Sequence, residues 1–277
     1  MSIDKVEVTN SQGNLLTLTL EDISNGYVVE DIDGLDPVKA TIVSSNFATI
    51  EGQQYQASSR ETRNIVIKLG YAPDFSIGQT IRGLRSGLYQ FFMTGTPVGL
   101  KFYMTDGVTV NTSGRVESCE APLFSQEPEM DISIICFDPD FIGSLVELHE
   151  TFNYDDSAAI PFVVAGSTPT GLTSLSFTVN QTLSEFTIYH TTPAGVLNTM
   201  LVSAPLLTGD VINMCTVKRQ KSITMTRSGI TTSLLWALQP QSTWVLLEPG
   251  TNLFYLNAVP SGGDAVLLDY NTRYGGL

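Results

Sequence analysis

Charge is scarce in this chain: only 15% of its 277 residues are Asp, Glu, Lys or Arg. Long, charge-laced helices are thereby disfavoured, because such helices keep a charged face in water. Lys and Arg are the scarcer sign, 14 against 28 acids, which leaves a net charge of −14. Bulk electrostatics of that sign oppose binding to nucleic acid or to an anionic membrane. No Lys or Arg occurs from Val116 to Val217, whereas six of the fourteen fall between Arg60 and Lys101. Three scattered cysteines, Cys119, Cys136 and Cys215, suit neither a disulfide framework nor a zinc site and read as small buried apolar residues. No apolar run approaches the roughly 18 residues that cross a bilayer, and the opening MSIDKVEVTN has no signal-peptide core, so folding in a reducing cytoplasm without membrane insertion is expected.

Catalytic chemistry is equally thin. Of the two histidines, His149 lacks the second histidine of a helical zinc-protease motif, and His190 sits in a strand-like run. No nucleophile elbow, phosphate-binding loop or dinucleotide fingerprint is present. The pairs Asp138 with Asp140 and Asp155 with Asp156 lie in turn-like sequence, with nothing to set them across a cleft. A protein that is not an enzyme and needs no cofactor or metal is expected.

What is plentiful is turn chemistry between short alternating runs: 23 glycines and 13 prolines accompany 42% hydrophobic residues. The central stretch is Ser113–Phe141. In it Met130, Ile132, Ile134 and Cys136 alternate with Asp131, Ser133, Ile135 and Phe137, the period-two pattern of a half-buried strand. With Arg115–Glu120 it reads as a long β-hairpin with a broad, proline-bearing loop, and Asp138-Pro139-Asp140 is expected to take the chain out of that sheet. Before it come a hairpin over Lys5–Leu20, a polar acidic loop over Tyr27–Asp36, strands at Thr41–Ile50 and Asn64–Leu69 joined by a polar connection at Glu51–Ser59, and a strand pair at Val98–Met104 and Val108–Val110. Ile77, Ile81, Leu84 and Leu88 share one helical face, which predicts one short helix.

Past Gly143 strand-like runs recur about every ten residues: Phe177–Val179, Phe186–Ile188, Val211–Thr216, Ile223–Met225, Leu234–Leu238, Trp244–Leu247, Phe254–Leu256 and Val266–Leu268. That spacing predicts a jelly-roll β-sandwich. The expected fold is mainly β, with an N-terminal β-sandwich or split barrel over 1–143 and a C-terminal sandwich over 144–277.

With these residues in view the chain resembles the distal tail protein family of tailed bacteriophages. The likeness lies in Ser59–Gly70, Gly83–Tyr89, the run Arg115–Phe141 ending CFDPDF, Gly209–Ile212, Leu247–Asn252 and Tyr270–Leu277. It implies a structural protein of the virion tail, assembled in the host cytoplasm. Its first domain would close a homo-hexameric ring on the tail tube protein, and its galectin-like second domain would meet the tail-tip hub, a tail-associated lysin, or fibre and receptor-binding proteins. DNA would pass the lumen without specific binding. On this reading Arg60, Arg63, Arg115 and Glu117 are candidates for an intersubunit interface, although strand-end arginines are as readily solvated. Glu30, Asp31, Asp33 and Asp36 are candidates for an acidic loop facing the pore. The alternative is a carbohydrate-binding module stacking sugar on Trp236, Trp244 and Tyr255, against which stand the absence of a galectin sugar motif and the apolar setting of both tryptophans.

Overall fold

The computed structural model describes residues 3–20, 22–46, 51–122, 128–153, 159–259 and 263–277. It divides into two units, Met1–Gly143 with Tyr274–Leu277, and Ser144–Arg273. The last four residues therefore pack with the first unit, whereas the sequence reading ended the second domain at 277.

The first unit is one strongly curled antiparallel sheet. Its strands are β1 (Ile3–Asn10), β2 (Leu15–Thr19), β3 (Tyr27–Asp33), β6 (Arg63–Tyr71), β7 (Pro97–Met104), β8 (Thr109–Glu120) and β9 (Glu129–Cys136), paired in the order β2-β1-β7-β8-β9-β6-β3. Alternation sets the inner face: Val6 and Val8, Ile65, Ile67 and Leu69, Leu100 and Phe102, and Met130, Ile132 and Ile134 are all buried in one core. The long hairpin of the sequence reading is β8 with β9, in antiparallel register from Arg115↔Ile135 to Glu120↔Asp131; its loop includes residues 123–127, outside those described.

Four expectations fail here for identifiable reasons. Tyr27–Asp36 is a strand over most of its length, held by pairing to β6, because Tyr27, Val29 and Ile32 supply enough apolar contact to outweigh its carboxylates. The connection at Glu51–Ser59 is mostly β5 (Gln54–Arg60), which pairs with β4 (Ala40–Ser45) in a separate two-stranded arm; residues 47–50 of the predicted Thr41–Ile50 strand lie outside the described set. The helix α1 spans Ile81–Tyr89 and not Ile77–Leu88: Gly78, at φ 80°, ends a 3-10 turn at Phe75–Ile77, and the Thr80 hydroxyl then caps the helix by accepting from the Gly83 N–H at 3.1 Å. Leu84 and Leu88 are buried as expected, while Ile77 faces solvent. Nor does the chain leave the sheet after Asp140, since β10 (Phe141–Asn153) begins at once and Ile142 pairs with Asn111 of β8.

The second unit is a two-layer sandwich. One layer contains β12 (Leu172–Thr178), β15 (Val211–Cys215), β16 (Ser222–Arg227), β17 (Ile230–Ser233) and β19 (Gly263–Tyr274), ordered β17-β16-β15-β12-β19. The other is β11 (Ile160–Val164), β18 (Gly250–Val259), β13 (Leu183–Thr191) and β14 (Leu197–Leu206). Phe177 and Phe186, one from each layer, meet edge to face at 5.2 Å in the shared core. Two predicted strands are absent: Leu235–Ala237 is a 3-10 turn, and from Trp244 to Leu247 only Leu247 makes a bridge, to Thr170.

Candidate functional site

Among the described residues no cluster of three or more His, Cys, Asp or Glu is placed to hold a metal. His190 is fully buried, with Nε2 2.8 Å from the Asn252 side-chain oxygen, and burial pulls its pKa below the ordinary histidine value. Asn252 is itself engaged by the Glu248 N–H and by the Glu248 and Gly250 carbonyls, so this is an internal tie across strand ends. Asp140 accepts a two-point ion pair from Arg60, one arm at 2.9 Å. The side chain of His149 and residues 155 and 156 lie outside the described set.

The candidate interface arginines have unlike fates. Arg63 is completely buried: its guanidinium donates to the carbonyl oxygens of Gly34, Asp36, Pro139 and Gly275, and lies 4.1 Å above the Phe141 ring. It has no surface to offer a neighbour. Desolvation lowers its pKa, while four carbonyl dipoles and the aromatic face replace its lost water. Gly34, at φ +86°, passes so close to the Asn64 carbonyl that no Cβ fits, and this approach brings its own oxygen to Arg63. Arg60 is neutralised by Asp140. Arg115 is exposed and donates to the Gly95 carbonyl at 2.8 Å, and Glu117, also exposed, accepts from the Ser133 hydroxyl at 2.8 Å.

Of the acidic candidates, Glu30, Asp31 and Asp33 lie on β3 and Asp36 just beyond it, all exposed. A bulge in the β3–β6 ladder between Val29 and Asp31 puts Glu30 and Asp31 side by side on this free edge. Between β2 and β3, which have no ladder to each other, lies a cavity of about 290 Å³ lined by Ile3, Leu20, Val29, Glu30, Asp31, Ile32, Leu35, Met104 and Leu277. Sequence reasoning missed it, because its walls come from five separate segments.

Two other surfaces stand out. The β4–β5 arm is exposed at every residue from Ala40 to Ser44 and from Gln54 to Arg60, including Ile42, Val43 and Tyr55. On the second unit the three candidate sugar-stacking residues behave differently from one another. Trp236 is 71% exposed, contrary to the core role read from its apolar run, because the 3-10 turn puts it outward and buries Ala237 instead. Trp244 packs on the core, with the Lys221 ammonium 5.1 Å from its ring centre. Tyr255 is stacked on Tyr189 at 4.3 Å, so one of its faces is already covered.

Taken together, a curled sheet with one short helix and a free arm, followed by a two-layer sandwich, define a mainly β protein of two antiparallel units. The chain is similar to the Dit protein of phage SPP1, a hub of the adsorption apparatus in phages infecting Gram-positive hosts: 16% identity, 97% of this chain and 98% of that one, TM-score 0.67. It therefore has a Dit-like fold along nearly its whole length. A chain of the phage P2 baseplate in its activated conformation aligns over 97% of this chain and 98% of its own, at 9% identity and a TM-score of 0.44 that carries no weight here. No protein-family model matches the sequence. No curated relative matches it either.

Proposed function

We propose that this protein is the subunit of a distal tail ring in a tailed bacteriophage. Six copies close through the first unit at the end of the tail tube, and the galectin-like second unit holds tail-tip, fibre or receptor-binding proteins. The role is structural and not catalytic. The observation that carries this reading is the Dit-like fold over nearly the full chain. The β4–β5 arm supports it: an isolated two-stranded hairpin is marginal in water, and one that exposes Ile42, Val43 and Tyr55 is stabilised by covering them with another chain. The net charge of −14 suits a conduit through which DNA passes without adhering.

The test is negative-stain imaging of the purified protein at several concentrations. Six-fold closed rings are expected; open filaments or single particles throughout would contradict the ring. Sugar binding has less behind it, since Tyr255 is stacked on Tyr189 and Trp244 is packed against the core.

A further inference from the structure

We infer that the cavity at the β2–β3 seam receives the Phe75–Ile77 turn of a second copy of this chain. The inference rests on the ring reading and names a contact that would build the ring. The cavity, about 290 Å³, falls just short of the roughly 300–1,000 Å³ of small-molecule pockets and suits one or two bulky side chains. Its walls are apolar, from Ile3, Leu20, Val29, Ile32 and Met104, and its rim carries the exposed carboxylates of Glu30 and Asp31. Such a socket favours an apolar group accompanied by a cation.

The same unit presents that group. Phe75 is 73% and Ile77 69% exposed, and the helix that follows carries no acid and an exposed Arg82, while Arg85 is half-buried against Tyr71. Asp74, the one carboxylate of the turn, is already engaged by the Ser76 N–H at 2.9 Å and the Ser76 hydroxyl at 2.6 Å.

Within one copy the two surfaces cannot meet. The turn and helix sit at the start of β3, where the Tyr27 hydroxyl donates to the Leu84 carbonyl and the Ala72 N–H to the Gly26 carbonyl. The cavity lies toward the other end of the strand, at Val29–Ile32 and Leu35. From Tyr27 to Ile32 is five residues, about 17 Å of strand at roughly 3.3 Å per residue, and Phe75 and Ile77 are left in solvent. A knob at one end of a unit and a socket at the other make a head-to-tail contact, which closes into a ring when its rotation allows. Glu30 and Asp31 then belong to the rim of a subunit contact and not to the pore.

The experiment uses the full chain with the photoreactive residue p-benzoylphenylalanine in place of Phe75, irradiated across a concentration series, with cross-linked peptides mapped by mass spectrometry. Links to the 29–35 segment, Ile3 or Leu20 of another chain are expected. Phe75→Asp should weaken self-association at least about tenfold with an unchanged circular dichroism spectrum, since the side chain it removes is exposed. Arg82→Glu should weaken it too, and Asp31→Arg in the same chain should restore part of the loss. Assembly that survives Phe75→Asp, with cross-links landing elsewhere, overturns this contact and leaves the ring reading standing. A wild-type chain that stays single at every concentration, with no cross-link between chains from the photoreactive variant, overturns both.

Discussion

The two units solve the same problem, burying the faces of antiparallel sheets, in different ways. The second closes on itself: two layers cover each other, and large residues from both sides, such as Phe186, Phe254, Leu256 and Leu268, fill one core. The first curls a single sheet until its edges face each other across an unladdered seam, and it leaves three things unfinished: a cavity, an exposed turn and a free arm. It also borrows its last contacts from the far end of the chain, where Gly275 accepts from Arg63 and the Leu277 N–H donates to the Leu35 carbonyl at 3.0 Å. Both units keep apolar side chains in solvent, Val163, Ile230 and Trp236 on the second among them; what sets the first apart is that its own are joined by an open seam cavity and carried on a protruding turn and arm, features that suit assembly.

The comparison breaks most visibly at Arg63. Arg63→Ala takes the guanidinium away from four carbonyls of three segments, at about 1–3 kcal/mol for each group left unpaired. Chemical denaturation should show the first unit unfolding much earlier while the transition of the second stays in place. The two are separable because both tryptophans, Trp236 and Trp244, lie in the second unit, so their fluorescence reports that unit alone. The mirror experiment is Phe186→Ala, which opens a cavity in the sandwich core and should cost about 3–5 kcal/mol there. In that variant the tryptophan transition moves and the first unit's does not; a joint shift of both transitions would mean the units are not independent.

Ending the chain at Tyr274 removes the Gly275 acceptor and the Leu277–Leu35 bond, and should destabilise the first unit by about 2 kcal/mol, although the deletion is far from it in sequence. Equal loss in the second unit would undo the assignment of the tail.

Acidity distinguishes the units more gently. Both histidines lie between residues 144 and 273, and burial lowers the pKa of His190 below 6.5 in the folded state. Below pH 6.5 the unfolded chain takes up a proton that folded His190 refuses, so this contribution is complete above pH 6.5 and is lost as pH falls toward the folded value. Thermal melts at pH 7 and pH 5.5 should lower the tryptophan-reported transition, and His190→Gln should flatten that dependence. The smallest effect on stability is expected from Ile42→Lys in the arm, within about 0.5 kcal/mol, because that side chain is 66% exposed; its effect should appear in assembly instead.

Where a strand has one wet and one dry face, alternation made it legible: β1, β6, β9, β12 and β13 all follow from their apolar positions. The arm was hidden because both of its faces are in solvent, so Gln54–Arg60 has no inside to record and reads as a polar connection. Leu235–Ala237 was misread for the converse reason, since a short apolar run looks alike as a strand or as a turn with one buried residue. The candidate site was less legible than the fold. Arg63 is held by carbonyls, which every residue possesses, and by the face of Phe141, so no partner carboxylate marks its burial. The seam cavity is assembled from Ile3, Leu20, β3, Met104 and Leu277, and no spacing rule connects these.

The most direct test of the account is the native mass of the full chain by light scattering across a concentration series, for the wild type and for Ile42→Lys. It predicts a wild-type species approaching six chains and a shift toward single chains in the variant at equal stability. A wild type that keeps the mass of one chain at every concentration would contradict it.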